Sequence, residues 1–384
     1  MTVLWILLAL AAGAALVIWG VDLYHYLLNR YCRYHIGRWP DAGAWRKAVI
    51  RRAIRWTVKT PVVKITDNNR YLLLDMLQGR YRSNTIQSWQ TAGLLLGLQS
   101  AGNAEADAAV QKALDTLLDG RGMFRTKPTN VDCGMLAYSM LKTCDPEKIR
   151  PAMDFAAELI RSRAGMDGTL VYVNDVTSDE RYVDTVGLVC PFLARYGRVY
   201  HKPEFTKLAT DQLRAFSAHG LEQNTLLPNH AYSVSRKLPL GVYGWGRGAG
   251  WYTLGLIDTY PELPDGEDKV WLKSHIRAVA DSYLQFQRPD GGFGHILQLQ
   301  NGYDSSATAA LAYFYRQCAH IFEDSRYADA ADRCLTKLRS VTRITGAIDW
   351  CQGDTKGIGV FSQTYDVLPF AQGLALRASK KTEE

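Results

Sequence analysis

Cysteine pairing has no footing in this sequence. The seven cysteines, Cys32, Cys133, Cys144, Cys190, Cys318, Cys334 and Cys351, are an odd number, widely spaced and without a C-x-x-C pair. That pattern argues against a disulfide framework or a structural zinc site and fits buried thiols in a reducing compartment. The eight histidines and the acids show no ligand spacing such as H-E-x-x-H, so neither a metal nor another cofactor is expected. No basic-aromatic module stands out. The formal charge of +7 is modest for 384 residues and sits largely just behind the N-terminus, so nucleic acid is not an expected partner. Alternating β patterns are nearly absent. With 47% hydrophobic and 22% charged residues, the chain can bury a large core and shows no sign of disorder.

What the sequence does have begins with an uncharged run from Val3 to Gly20, near the lower length limit for a membrane-spanning helix. A cleaved signal peptide is the rival reading, but no Lys or Arg precedes the run. Behind it come Arg30, Arg33, Arg38, Arg46, Lys47, Arg51, Arg52, Arg55 and Lys59 against only Asp22 and Asp41. The positive-inside rule then puts the body in the cytoplasm, held on the inner membrane by a single pass. A basic collar of this kind also suits anionic headgroups; the plainer alternative is a solvated basic helix. The expected organisation is an anchor over 1–22, a basic juxtamembrane segment over 23–41 and one domain over 42–384.

From about Ile86 onward, helical periodicity recurs over 86–100, 104–118, 132–142, 146–163, 184–200, 204–219, 248–260, 269–287, 305–322, 326–342 and 364–378. Several of these segments, such as Leu188 to Gly197, are apolar on more than one side, as expected of helices surrounded by other helices. The connections repeat as well. Asp119-Gly120-Arg121-Gly122, Asp167-Gly168-Thr169-Leu170, Asn224-Thr225-Leu226-Leu227, Asp290-Gly291-Gly292-Phe293 and Thr345-Gly346-Ala347-Ile348 recur roughly every 50 to 65 residues, about the length of a helical hairpin with its loops. Six such hairpins, one drawn from residues 42–85, close into an all-α (α/α)6 barrel. An open solenoid is the alternative.

Inner helices of such a barrel begin at the rim of a central funnel. Asp132 and Asp184 each open a predicted helix, where an aspartate can serve as a cap or as a catalytic acid. Gly244-Trp245-Gly246-Arg247-Gly248-Ala249-Gly250-Trp251 places two indoles and a guanidinium among four glycines. Indole faces stack on sugar rings and arginine grips carboxylates through paired hydrogen bonds.

Together these segments resemble the unsaturated glycuronyl and rhamnogalacturonyl hydrolases, glycoside hydrolase families 88 and 105. Asp184-Thr185 with Pro191 to Gly197 looks like the catalytic-aspartate helix, and Trp245-Gly246-Arg247-Gly248 with Gly250-Trp251 like the tryptophan-arginine loop. Asp304-Ser305-Ser306 looks like the serine-rich helix start, Asn229-His230-Ala231-Tyr232 like a substrate-side histidine loop, and the stretch from Cys351 to Gly373 like the C-terminal signature. Ala249 stands where the family usually has Asn, and Asp132 lies in Val131-Asp132-Cys133-Gly134 instead of a His-Asp-Gly-Phe context.

The resemblance implies hydrolysis of acidic or unsaturated oligosaccharides by hydration of a vinyl ether. Asp184 is then the general acid and Asp132 its partner, with His230, Trp245, Arg247, Trp251, Asp304 and Ser305 around the sugar and no cofactor. A looser resemblance is to membrane-anchored proteins of exopolysaccharide or capsule biosynthesis, with assembly proteins as further partners. Ordinary inverting hydrolysis and a non-catalytic sugar-binding subunit are the rival functions.

Overall fold

The computed structural model describes residues 1–380 apart from 62, 65, 66, 69, 80 and 83–86. Among the described residues the elements that build the fold are fourteen α-helices, α1 (Thr2–Tyr34), α2 (Ala42–Val58), α3 (Leu72–Leu77), α4 (Ser88–Gln99), α5 (Ala104–Leu117), α6 (Cys133–Leu141), α7 (Pro146–Arg161), α8 (Val183–Val199), α9 (Pro203–His219), α10 (Gly246–Thr259), α11 (Glu267–Leu284), α12 (Ser305–Phe322), α13 (Ser325–Ser340) and α14 (Pro369–Ala378). Ile86, the expected start of the first inner helix, lies outside the described residues.

Burial sorts the helices into two rings. In α6 every residue is buried, and α4, α8, α10, α12 and α14 are buried on nearly all sides. The outer helices bury one stripe: in α7 it is Ile149, Ala152, Met153, Ala156, Ala157 and Ile160, the i, i+3, i+4, i+7 spacing of an amphipathic helix. The inner helices pack in the order α4, α6, α8, α10, α12, α14 and back to α4, with α2, α5, α7, α9, α11 and α13 outside them. This is a closed six-hairpin (α/α)6 barrel.

Closure depends on glycine. A Cβ on Gly97 of α4 would lie 2.3 Å from Cα of Gly373 in α14, and one on Gly373 would lie 1.8 Å from the carbonyl oxygen of Gly93. The two inner helices therefore approach at a distance that no other residue permits. Next to this seam, Gln372 Nε2 donates to the Val49 and Gly346 carbonyls at 3.0 and 2.8 Å, and its Oε1 accepts from Ile348 N at 3.0 Å. One buried amide thus joins the last inner helix, the first outer helix and the last repeat loop.

The five repeat loops all run from an outer helix to the next inner one, which puts them on the rim where the inner helices begin. Bridges Leu118–Phe124, Ala164–Leu170, Leu221–Pro228 and Thr342–Ile348 pinch four of them. At the opposite end a buried charge network ties the inner helices together: Asp258 of α10 accepts from Arg377 of α14 at 2.6 and 2.8 Å and from the Tyr313 hydroxyl of α12 at 2.7 Å. Pairing of this kind offsets the desolvation of a buried carboxylate.

Helix α1 continues unbroken through residue 22, so no turn separates the apolar run from the basic segment. Part of that basic segment holds the barrel instead of facing solvent. Arg33 pairs with the buried Asp349 at 3.1 Å, Arg46 donates to the Ala101 carbonyl at 3.0 Å, and Arg52 to the Thr345 carbonyl at 2.8 Å. All seven cysteines are free thiols, six of them buried and Cys144 half-buried.

The seam gives a direct test. Gly373→Ala should force α4 and α14 apart and lower unfolding stability by about 3 kcal/mol. Gly120→Ala, whose Cβ would meet nothing within 4 Å, should change it by less than about 0.5 kcal/mol. Denaturant titration followed by circular dichroism reads both, and equal midpoints would show that closure does not rest on this contact.

Candidate active site

A short antiparallel sheet brings the site together. Strand Glu180–Tyr182 pairs with Ala231–Ser233, which pairs in turn with Leu238–Leu240, and Tyr182 lies opposite Ala231. One residue beyond that register, Val183 N donates to the His230 carbonyl at 2.9 Å. The strand therefore turns into α8 beside His230 and leaves Asp184 in the first helical turn. Trp245 and Arg247 arrive from the start of α10 and Trp251 from its second turn.

Asp184, His230, Trp245, Arg247 and Trp251 line one cavity of about 290 Å³, together with Tyr172, Asp354 and Lys356. The Asp184 side chain does not cap its helix: α8 has no side-chain cap, and Asp184 Oδ2 is buried without a hydrogen-bond partner. Burial, reinforced by Asp354 and opposed by Arg247 and the residue's own backbone N–H, pushes its carboxyl up to about 7. An acid kept protonated near neutrality inside a cleft is what proton donation requires.

His230 faces this carboxyl, Nε2 to Oδ2, at 3.8 Å. Burial and the neighbouring Arg247 push the imidazole down to about 4, so it is neutral at pH 7 and the contact is not an ion pair. Gly359 N donates to His230 Nδ1 at 3.2 Å, which leaves Nε2 to carry the proton and point it at Asp184. The ring packs against Trp245 and Phe361, with centroids at 4.7 and 5.7 Å, and those two rings also stack on each other at 5.3 Å.

Arg247 is buried, and its two terminal nitrogens donate to the Gln352 and Gly353 carbonyls at 2.6 and 2.7 Å. It thus fixes the loop that carries Asp354 and Lys356 into the cavity, while its charge acts on both Asp184 and His230. Trp251 packs edge-on against Trp89 at 5.4 Å, giving the cavity a second indole wall.

Asp132 lies elsewhere. It opens α6 without a side-chain capping bond and lines an adjoining cavity of about 580 Å³. The two cavities share Gln87, Trp89, Tyr172 and Val173, with Tyr172 between the acids. Burial first, then Asp184, Asp132 and Asp354, push the Tyr172 hydroxyl well above its usual range, which records three carboxylates around one phenol. The like charge that raises Asp184 is that of Asp354.

Asp304 and Ser305 require a correction as sugar contacts. Both are fully buried and neither lines the cavity. Asp304 caps α12, accepting from Ser306 N at 2.8 Å, and also accepts from Gln352 N at 3.0 Å. The Ser305 hydroxyl donates to the Asp349 carbonyl. Their helix start supports the Arg247 loop from behind.

Sequence reasoning missed Tyr172, Asp354 and Lys356. Tyr172 had a usable signal, since it stands two residues beyond Leu170, the end of a repeat-loop bridge. Thr126 occupies the equivalent place beyond Phe124 and also lines the funnel.

The family model described as Glycosyl Hydrolase Family 88 matches residues 69–381. A possible member of glycoside hydrolase family 105 from Klebsiella pneumoniae superposes with a TM-score of 0.73 at 16% identity, covering 89% of this chain and 94% of that one. An unsaturated glucuronyl hydrolase responsible for glycosaminoglycan degradation, from a Bacillus species, gives 0.62 at 17% identity over 88% and 94% of the two chains. An unsaturated glucuronyl hydrolase specific for heparin gives 0.65 at 16% over 87% and 95%. Comparison with curated proteins gives no match. At these identities the superpositions show the six-hairpin fold, and the family model carries the assignment. The chain belongs to glycosyl hydrolase family 88, and its class is that of a glycoside hydrolase.

The elevated Asp184 carboxyl has a consequence for stability. Its proton is held more tightly in the folded chain than in the unfolded one, so its contribution to stability is full below about pH 4 and is lost as pH rises through about 7. Asp184→Asn removes the titration. Relative to wild type the variant should gain stability between pH 4 and pH 8, by on the order of 2–4 kcal/mol at about 1.4 kcal/mol per unit of elevation. Melting curves at several pH values test this, and parallel curves for the two proteins would rule out the elevated carboxyl.

Proposed function

We propose that the protein hydrolyses oligosaccharides ending in an unsaturated uronic acid, working from the cytoplasmic face of the inner membrane within polysaccharide metabolism. The observation that carries the chemical reading is Asp184, a carboxyl in the cavity wall whose Oδ2 is buried without a hydrogen-bond partner and whose proton is held up to about pH 7, set between indole walls in a family 88 barrel. A further relative of the same fold was solved with dGlcA-Glc-Rha-Glc, and the names of two others are those of unsaturated glucuronyl hydrolases.

In this reading Asp184 gives its proton to C4 of the C4=C5 double bond, and the resulting carboxylate takes a proton from the water that adds at C5. The product is a hemiketal. It opens to a ketone at C5, and the former acetal at C1 then collapses and releases the next sugar. Neutral His230 holds Nε2–H toward the carboxyl and stabilises it once it is ionised. Trp245 and Trp251 stack the ring. Arg247 supplies a fixed positive field while it secures its loop, and Lys356, paired with Asp67 at 2.6 Å, adds a second positive charge at the cavity on the side where a uronate carboxylate would bind. Asp132, across Tyr172, fits the wider cavity where the following sugars would lie.

Loss of absorbance from the conjugated double bond measures turnover. Asp184→Asn should lower kcat by roughly 10²- to 10⁴-fold, and wild-type activity should fall as pH rises through about 7, where the acid loses its proton. A wild-type protein that binds acidic oligosaccharides but never consumes the absorbance would instead be the sugar-binding subunit.

The topology rests on the apolar stretch of α1, which is long enough to cross a membrane and wholly exposed. Trp5 and Trp19, 65% and 67% exposed, stand near its two ends, where interfacial tryptophans are common. The excess of bases beyond it favours a cytoplasmic body. Protease added to intact spheroplasts of an expressing Gram-negative host should leave the body uncut until the membrane is permeabilised; cutting in intact spheroplasts would reverse the orientation.

A further inference from the structure

Helix α1 does more than lead out of the barrel. Immediately beyond the apolar run, the Asp22 carboxylate accepts from Tyr71 N and Leu72 N at 2.7 and 2.9 Å, fixing the start of α3. Three turns further on, Arg33 pairs with Asp349, donates to the Tyr365 carbonyl at 2.6 Å and lies 4.2 Å from the centroid of the Trp350 ring. Helix α3 belongs to the connection from α2 to α4, and Asp349 and Trp350 to the connection from α13 to α14. Both are outer-to-inner connections, on the rim where the funnel opens. The point at which the chain leaves the apolar run is thus the point at which it touches that rim.

The surface next to that point is apolar and basic. Tyr71, immediately before α3, and Leu74 and Leu77 on it follow an i, i+3, i+6 spacing and are 50%, 40% and 76% exposed. Tyr24 and Tyr26 of α1 are also exposed, as are Arg30 and Arg70. Tyrosine prefers the level of the headgroups, leucine enters the boundary with the acyl chains, and arginine is drawn to anionic lipid.

We propose that α3 and this side of the funnel rim rest on a lipid bilayer with anionic headgroups, which holds the mouth of the funnel at the membrane surface. The inference rests on the reading of α1 as a membrane anchor. The surface continues from the span without a gap, so the bilayer that takes up residues 3–20 is also the surface that meets α3.

The test uses the full-length protein in nanodiscs of mixed neutral and anionic phospholipid. An environment-sensitive fluorophore is attached at Leu77→Cys or, as a control, at Asp265→Cys. Asp265 is 98% exposed in the connection from α10 to α11, on the opposite rim. The unsubstituted chain, whose thiols are buried or half-buried, gives the background. Lipids carrying a nitroxide near the headgroup should quench the probe at 77 several-fold more than the probe at 265, and Leu74→Glu in the same chain should reduce that difference. Equal quenching at the two sites, with the protein still held in the disc, overturns the membrane-facing rim and leaves the anchor standing. A full chain that stays in aqueous buffer without detergent or lipid overturns the anchor and the inference together, while the catalytic reading is untouched by either result.

Discussion

A ring of helices has to end where it began, and everything at the centre of this molecule depends on that closure. Only with α14 against α4 do six inner helices present their first turns to one funnel, because each position around the ring is set by its two neighbours. The contact is steric before it is energetic: Gly93, Gly97 and Gly373 let two backbones meet, and the Gln372 amide then satisfies backbone groups of Val49, Gly346 and Ile348, the first of them 323 residues away in sequence. The charges at the far end, centred on Asp258 and Arg377, hold the inner helices where there is no cavity to preserve. An oxygen such as Asp184 Oδ2 can therefore stay without a hydrogen-bond partner in the funnel, since the barrel does not rely on it for its shape.

Asp184 uses that freedom. A carboxyl on a first helical turn would ordinarily find backbone N–H groups and ionise easily. Here the entry from strand Glu180–Tyr182 leaves α8 without a side-chain cap and leaves Asp184 Oδ2 buried at the cavity wall without a hydrogen-bond partner. Burial and Asp354 favour the neutral acid, Arg247 favours the anion, and burial outweighs the rest. His230 can sit 3.8 Å away without deprotonating the acid because burial and Arg247 keep the imidazole neutral. One guanidinium thus acts on two titrating groups in opposite senses of charge while its own hydrogen bonds build the loop opposite them.

Most of the fold was legible in the sequence because it is repetitive. Long helices announce themselves by period, and the expected boundaries agree with the observed ones to within a few residues. The largest difference is at the end of the chain, where 364–378 was read as one helix. Pro369 occupies the first turn of α14, and Tyr365–Asp366 instead pairs with Cys351–Gln352 as a two-residue strand. Proline suits a first turn and ends what precedes it. The three-residue strands around His230 and the single-turn-scale helix α3 fell below any periodic signal. Among candidate site residues, those on inner-helix starts were readable by position, whereas Asp304 and Ser305 shared that position and yet point into the core. Residue type and spacing put a side chain on the rim; they do not say which way it faces.

The same limit explains why the sequence reading ends the anchor at residue 22. Composition changes at Asp22, but backbone hydrogen bonding in a helix takes no account of composition, and α1 carries on to Tyr34. Once it does, the bases beyond the apolar run cannot all serve as a solvated collar, since Arg33, Arg46 and Arg52 each end on a barrel acceptor. Arg33 in particular reaches Asp349, whose carbonyl accepts from Ser305. The next residue along, Asp304, accepts from the backbone N–H of Gln352, the residue whose carbonyl receives Arg247. Hydrogen bonds linked through short stretches of backbone therefore run from the end of the N-terminal helix to the guanidinium beside Asp184. The last three turns of α1 are thus packed on the same rim whose loops build the wall of the candidate active site.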